Sequence, residues 1–464
     1  MKKKHRHENA SQPQNLDPSA AQAPSEAGAP GAETVLQTAE TAGEMPKPSD
    51  GMVAVKADDD KGFAIKKVIS VEGFVTLAIV LAIFIPIGII MGFDNMLKTL
   101  FNNALDLLLN TCFYLMGVAV VIGALSAVLT EFGVIALANK ALSPLMKPLY
   151  GMPGATSIAI FSSFLSDNPA VLSLADDVRY RRYFKKYQLA GLTNLGTAFG
   201  MGLIVIITLS GITARPENSG AVGSVGLAVA MGIVGAIIGS ILATRLMLHK
   251  SKKLYGKEAD AAPQQDHNFD VLRRREVRKG GVIQRFFDSL LEGGAGGVKI
   301  GLAIIPGVLI IANIVMLLTD DVNTTQQIVD EVTGHLVQID ITEYQGLAHQ
   351  GVGLLPWIGE KLSIVFKWVF GFETPSAISV PITALGSAGA AVGVVKDNVF
   401  TANEIAVFTS MCMFWSGYLS THVAMMDNLG FRKLTTSAIL YHTIGGLVAG
   451  ICANWLYQLF ALLL

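Results

Sequence analysis

Residues 151–187 read GMPGATSIAIFSSFLSDNPAVLSLADDVRYRRYFKKY, and this stretch decides the fold. Its first apolar arm is about 11 residues long, ~16 Å of helix, too short for a hydrocarbon core of ~30 Å. It breaks at Ser166-Asp167-Asn168-Pro169 and resumes in a second arm. That arm ends in Arg179, Arg181, Arg182, Lys185 and Lys186, which belong at a cytoplasmic surface. Two short arms meeting at a polar turn predict a re-entrant helical hairpin. Such a turn is tolerated at membrane depth only where protein or a water-filled cavity surrounds it. A similar object recurs at residues 371–400, where the arms meet at Gly386-Ser387-Ala388-Gly389.

The composition agrees with a membrane setting. The chain is 51% hydrophobic and 15% charged over 464 residues, with a mean hydropathy of +0.49. Those values exclude an ordinary soluble enzyme and point to an all-α polytopic membrane protein. The three cysteines, Cys112, Cys412 and Cys452, all fall in apolar stretches without paired spacing, so neither a disulfide framework nor a zinc site is expected.

Working outward, residues 1–60 are rich in Ala, Pro, Gln, Glu and Ser and offer nothing apolar to bury, so they read as a disordered cytoplasmic tail. The start MKKKHRH leads into no apolar run and is not expected to be a signal peptide. Residues 61–104 hold an extra N-terminal helix, with a span at 74–92 and an external connection at 94–103. Further spans are expected at 105–129, 188–210, 222–247, 300–318, 402–419 and 436–459, about seven in all. Residues 132–150 read as an interfacial helix on the cytoplasmic side and 352–370 as its external counterpart. Residues 248–297 form a basic cytoplasmic linker, including Arg273-Arg274-Arg275, followed by an interfacial helix at 283–292. This basic run marks topology rather than a nucleic-acid partner. The run Gly293-Gly294-Ala295-Gly296-Gly297-Val298-Lys299 lacks the spacing of a phosphate loop and is set aside. No Lys or Arg occurs from Ile300 to Glu360, and the acidic stretch around Asp320, Asp321, Asp330, Glu331, Asp340 and Glu343 is therefore placed outside.

Two halves emerge, residues 105–247 with hairpin 151–187 and residues 300–464 with hairpin 371–400. Each is a span, an interfacial helix, a hairpin and two spans. Charge bias puts the root of one hairpin inside and that of the other outside, which makes the pair an inverted repeat, a recurrent design in secondary transporters. At a shift of 220 the pairs Gly151/Gly371, Ile158/Ile378, Leu165/Leu385, Ala170/Ala390 and Asp177/Asp397 coincide.

The arrangement resembles the nucleoside-recognition (Gate) domain membrane proteins of the YjiH type, which are related to the concentrative nucleoside transporters. The stretches that carry the resemblance are FDSLLEGGAGGVKIGLAIIPGVLIIANIVMLL (287–318) and GFETPSAISVPITALGSAGAAVGVVKD (371–397). In the transporters a hairpin tip carries a polar-acidic motif ending in Ala-Pro. Here Ser166-Asp167-Asn168-Pro169-Ala170 stands at the matching tip, while Glu373-Thr374-Pro375 sits at the root of the other hairpin. Asn403-Glu404 and Ser416 to His422 are approximate substitutes for the Glu-Ser-x-Asn motif of a later helix. The resemblance implies a solute of nucleoside type and a coupling ion, Na⁺ or H⁺, with no other cofactor.

The residues themselves single out Asp167, since a carboxylate at membrane depth is costly unless solvated, paired or used. It suits a cation, a transported proton or a substrate hydroxyl, and it equally suits a cap on the second arm ahead of Pro169. Ser166 and Asn168 share its tip. Thr193 and Asn194 within the third span, Asn313 within the fifth, and Ser387 at the second tip complete the candidate substrate- or ion-binding set, together with Ser416 and His422. His422 is noted for its capacity to titrate, and His442 shares that capacity. No nucleophile–base pair, metal motif or nucleotide fingerprint is present, so no enzyme is expected. The expected function is a secondary transporter, or a subunit of one, moving a small polar solute by alternating access across a cell inner (plasma) membrane, with a cytoplasmic N-terminus. The alternative is a non-transporting assembly or sensing subunit working with a second Gate-domain membrane protein or as a homo-oligomer.

Overall fold

A computed structural model describes residues 68–176, 178–217, 223–261, 277–329, 336–396 and 398–463. The chain divides into residues 1–71, of which only 68–71 are described, and a second unit, 72–464, which contains everything discussed below. The expected tail 1–60, the Arg273-Arg274-Arg275 run, Asp177, Asp330, Glu331 and Asp397 lie outside the described residues.

Among the described residues six helices are long and apolar enough to cross a membrane, and the protein is a multi-pass membrane protein. The first, α1 (Val71–Met91), buries only Ile87, Gly88 and Met91, leaving an apolar surface all round as lipid requires. Gly92, at φ 81°, turns the chain directly into α2 (Phe93–Asp106), which passes through a π-helical turn (Leu107–Cys112) into α3 (Phe113–Glu131). The external connection expected at 94–103 is therefore helical. Its polar residues form a docking face instead of a loop: Asn95 and Asn102 donate to the carbonyls of Tyr344 and Gly346 at 2.9 and 2.7 Å.

After α4 (Val134–Tyr150) comes the first hairpin, α5 (Thr156–Leu165) and α6 (Pro169–Asp176), then the short α7 (Val178–Arg181). The third expected span is present but interrupted. Helix α8 (Lys186–Thr197) stops, Met201 adopts a left-handed φ of 52°, and α9 (Gly202–Ser210) restarts. Helix α10 (Val225–Tyr255) carries glycines at three- and four-residue spacing, and Gly232, Gly235 and Gly239 lie against Ala406, Ala449 and Gly445.

The interfacial helix expected at 283–292 is not separate. Residues 282–319 form one 38-residue helix, α11 (Val282–Gly307), a π-helical turn (Val308–Ala312) and α12 (Asn313–Thr319). Glycine usually costs a helix about 1 kcal/mol relative to alanine. Here Gly293 and Gly297 abut the backbones of Gly123 and Ala119, so two helices approach to a separation any side chain would prevent. The N-terminal end of α11 is tied by Glu131, which accepts from Arg278 and Arg285 at 2.7 Å each.

The acidic segment that follows contains an antiparallel pair, β1 (Thr324–Val329) and β2 (Leu336–Ile341), with Thr324 opposite Ile341. Sequence reading missed it. The single helix expected at 352–370 is two pieces, α13 (Leu354–Lys361) and α14 (Ser363–Phe370). The second hairpin follows a 3₁₀ turn (Pro375–Ile378) and consists of α15 (Ser379–Gly386) and α16 (Ala388–Lys396). The span expected at 402–419 is corrected. Helix α17 (Ala402–Trp415) has 14 residues, Ser416 and Gly417 are left-handed at φ 36° and 67°, and α18 (Tyr418–Asn428) begins afresh. A 3₁₀ turn (Arg432–Leu434) leads into the last helix, α19 (Thr435–Ala461). The same order of elements thus occurs twice: a long helix with a π-helical turn, short helices, a hairpin, a broken helix and a long helix.

Candidate functional site

Both hairpin tips and both helix breaks meet at one place. At the first tip, Asn168 is 1% exposed and its amide donates to the carbonyl of Ser416, in the second break, at 2.8 Å. Gly200, in the first break, lies against Asn168 Oδ1 and Ser416 Oγ, and a Cβ there would collide with both. At the second tip the backbone makes the junction. Gly417 N donates to Ala384 O at 3.0 Å, and a Cβ on Gly417 would stand 2.7 Å from Gly386 O. Non-glycine residues at positive φ cost about 1–3 kcal/mol and persist where surrounding structure over-determines them. Met201 and Ser416 are two such residues.

Two acceptors at this junction, Asn168 Oδ1 and Ser416 Oγ, are buried without a hydrogen-bond partner among the described residues. Interrupted helices add carbonyls at α8 and α17 and amides at α9 and α18 that no longer have in-helix partners. Such ends suit a cation and an anionic or polar solute group respectively. Asp167 folds its carboxylate onto its own tip, accepting from Asn168 N at 2.7 Å, and Ala170 N caps back to Asp167 O at 3.0 Å. Ser166 lines a cavity of about 350 Å³ between this tip and the α3–α11 pair, walled also by Ser126, Thr130, Asn139, Ser162 and Gly297. That volume lies at the small end of ligand pockets, roughly 300–1,000 Å³. Ser126 Oγ and Asn139 Oδ1 in that wall also have no partner among the described residues.

The remaining candidates divide. Ser387 caps α16 by accepting from Ala390 N at 3.2 Å, with Gly307 of α11 close behind. Thr193 and Asn194 are fully buried in α8, but the Asn194 amide goes to Ala438 O on α19 at 2.9 Å, a helix-packing bond. Asn313 likewise donates to Leu100 O on α2 at 2.7 Å, away from the tips. His422, one turn into α18, donates from Nδ1 to Tyr418 O at 3.1 Å and faces His442 on α19 with ring centroids 4.5 Å apart.

Sequence reasoning passed over Gly200 and Gly417. Gly200 stands between Phe199 and Met201, and Gly417 stands between Ser416 and Tyr418, where an apolar run gives way to polar residues. It also set aside Glu404, which anchors the root of the second hairpin. The Glu404 side chain is fully buried and accepts from Glu373 N, Thr374 N, Thr374 Oγ1 and Thr401 N at 2.8, 2.6, 2.9 and 2.8 Å, with Arg215 at 3.9 Å. A larger cavity, about 960 Å³, opens beside this root near Glu217, Glu373, Trp368 and Trp455 and contains no residue of either tip. Burial, and then the charge of Glu373, raises the pKa of Glu217 above the usual carboxylate range. Among the described residues no cluster of three or more metal-ligating side chains occurs.

The fold and site define a multi-pass helical membrane protein in which two short hairpins close on two broken helices. Residues 112–214, which run from the first π-helical turn through the first hairpin and the first broken helix, match the Gate family, described as nucleoside recognition. The Gate-type resemblance read from sequence holds for this stretch. The chain is also similar to solved structures of CNTnw. One, in an inward-facing substrate-bound state, shares 15% identity over 83% of this chain and 84% of that chain, with a TM-score of 0.45. Another, a doubly substituted variant in an outward-facing state, shares 17% identity over 84% and 86%, with a TM-score of 0.43. No curated protein matches the chain.

Proposed function

We propose that this protein is a secondary transporter that moves a small polar, nucleoside-like solute by alternating access, driven by a monovalent cation, Na⁺ or H⁺. The observation that carries this reading is the meeting of Asn168, Gly200, Ser416, Gly417 and Gly386 at one buried junction. Irregular backbone in a membrane protein is stable only where protein or water surrounds it, and here it converges from both halves of the chain. The nucleoside-recognition match covers the half that supplies Asn168 and Gly200 and supports the solute class. The solute would occupy the cavity at Ser166, where Ser126, Thr130, Asn139 and Ser162 present polar groups to it, with Asp167 next in the chain at the tip. Charge bias along the sequence supports opposite orientations of the two halves, a cytoplasmic N-terminus and an inner-membrane location. As domains we propose the two repeats, with bounds of 105–247 and 300–464 taken from the sequence.

Counterflow in proteoliposomes tests the proposal. Vesicles preloaded with unlabelled uridine, adenosine or inosine should take up the same labelled nucleoside faster than empty vesicles. Asp167→Asn should reduce that exchange while leaving the protein folded. Absence of counterflow with every nucleoside, also when a second Gate-domain protein is co-reconstituted, would favour an assembly or sensing subunit instead.

A further inference from the structure

Two buried histidines lie beside the second break, and their hydrogen bonds fix which nitrogens carry protons. His422 Nδ1 faces Tyr418 O at 3.1 Å, and His442 Nε2 faces Phe414 O at 2.8 Å. A carbonyl only accepts, so Nδ1 of His422 and Nε2 of His442 must both donate. In neutral rings this leaves His422 Nε2 and His442 Nδ1 as bare acceptors. Both are buried without a partner among the described residues. The rings themselves are 4.5 Å apart, tilted by 52°. Two orphan acceptors on neighbouring rings cannot satisfy one another, because neither has a hydrogen to give. One added proton resolves both, becoming an N–H on one ring and a hydrogen bond to the other.

The surroundings suit a single positive charge without a carboxylate. Phe414 stacks on His442 at 4.5 Å, and Tyr418 lies 4.7 Å from His442 and 5.3 Å from His422. Aromatic faces attract a cation, most strongly when it is desolvated. Tyr418 faces both rings, and its hydroxyl is engaged with Thr443 at 2.5 Å. Asp167 stands on the tip whose Asn168 bonds to Ser416, ahead of α18, and Glu404 of α17 is engaged at the root of the second hairpin. Helix α17 presents Phe414, and α15 has no ionisable residue. On α8, Lys186 stands over Tyr255 at 4.9 Å. On α18, Asp427 pairs with Arg432 at 3.5 Å, and on α10, Arg245 bonds to Leu149 O. A second proton would set two like charges side by side, so the pair holds one.

We infer that His422 and His442 form a single-proton site that couples solute movement to H⁺. His422 belongs to the half-helix that starts at Ser416-Gly417, and His442 to the long α19, so the pair straddles a joint. Any motion at the break changes the distance between the two acceptors and with it the hold on the proton. The step is simple protonation: H⁺ from water adds to one ring nitrogen, one N–H bond forms, and nothing is oxidised or reduced. This inference rests on the transport reading above, and the experiment separates the two.

The test compares wild type with His422→Asn and His442→Gln, which keep a donor near the Nδ1 and Nε2 positions respectively but do not titrate. In proteoliposomes with labelled uridine, adenosine or inosine, counterflow without an ion gradient supplies the reference rate for each protein. Relative to that reference, accumulation driven by an inward proton gradient should fall by an order of magnitude in both variants. Accumulation that persists in either variant, or that follows only a Na⁺ gradient in wild type, overturns the inference while leaving transport intact. If wild type shows no counterflow, the transport reading fails and nitrogen-15 histidine NMR in nanodiscs decides the site. One proton step shared by both rings supports it, and resonances that stay unchanged or titrate as two independent steps overturn it.

Discussion

The two hairpins have similar arms but put their polar chemistry in opposite places. The first carries it at the tip, where Asp167 and Asn168 stand and where the Asn168 side chain reaches across to the other half of the chain. Its counterpart has a nearly bare tip of Gly386, Ser387 and Ala388 that meets the break through backbone alone. The second hairpin concentrates its polar groups at the root, around the fully buried Glu404. One hairpin is thus anchored at its base and plain at its end, and the other presents functional groups at its end. Two copies of one element can diverge when one supplies fixed geometry and the other supplies ligands.

Substitutions can break that contrast. The largest effect is expected from Gly417→Ala, which places a Cβ against Gly386 O at 2.7 Å and at a φ of 67°. Crowding and left-handed backbone together should cost about 3 kcal/mol, read as a loss of unfolding free energy in detergent. A cost no greater than that of Ser387→Ala would mean that the second tip is loosely docked. Next, Asp167→Asn should slow nucleoside exchange by an order of magnitude or more, whereas Ser387→Ala should change it only a few-fold. Equal losses would erase the distinction between the tips.

Glu404→Gln puts an amide NH₂ among N–H donors and should destabilise by about 2 kcal/mol, as should Asn168→Ala, which leaves the buried Ser416 carbonyl without its donor. The first should leave the kinetics of the surviving folded protein unchanged, and the second should not. Ser387→Ala removes only a helix cap, worth about 1 kcal/mol. The smallest effect concerns pH. Burial and the neighbouring Glu373 raise the Glu217 pKa, so the folded state binds more protons than the unfolded one just above the ordinary carboxylate range. Stability should therefore fall as pH rises from the ordinary value through the raised one, by less than ~1 kcal/mol for so open a loop. Glu217→Gln should flatten that slope in melting curves taken across the interval.

Much of this was legible in the chain because length and polarity are local properties. An 11-residue apolar arm ending in Ser-Asp-Asn-Pro has few other readings, and the family match falls on that region. The helix breaks at Met201 and Ser416 were not legible, since apolar residues run on both sides and hydropathy does not register a dihedral angle. The glycine run 293–297 misled for a related reason. Glycine marks a weak helix in isolation and a close contact against Gly123, and only the partner distinguishes the two. The β1–β2 pair was hidden in a stretch read for charge instead of alternation. Asn194 and Asn313, whose amides bond to neighbouring helices, and Thr193, whose buried hydroxyl has no partner among the described residues, looked alike from sequence, because a polar residue bonding a helix and one without a partner are not distinguished by residue type.

The π-helical turns at Leu107–Cys112 and Val308–Ala312 carry a consequence of their own. Each holds one surplus residue in a widened turn, so the sequence period slips by one position there while the faces before and after it stay aligned. Removing a single residue from either turn would let the helix relax to ordinary pitch and leave the later side chains on their present flanks. The same deletion in the regular parts of these helices would turn everything beyond it by about 100°, so the two turns are where a change of length is absorbed without reassigning what each long helix shows its neighbours.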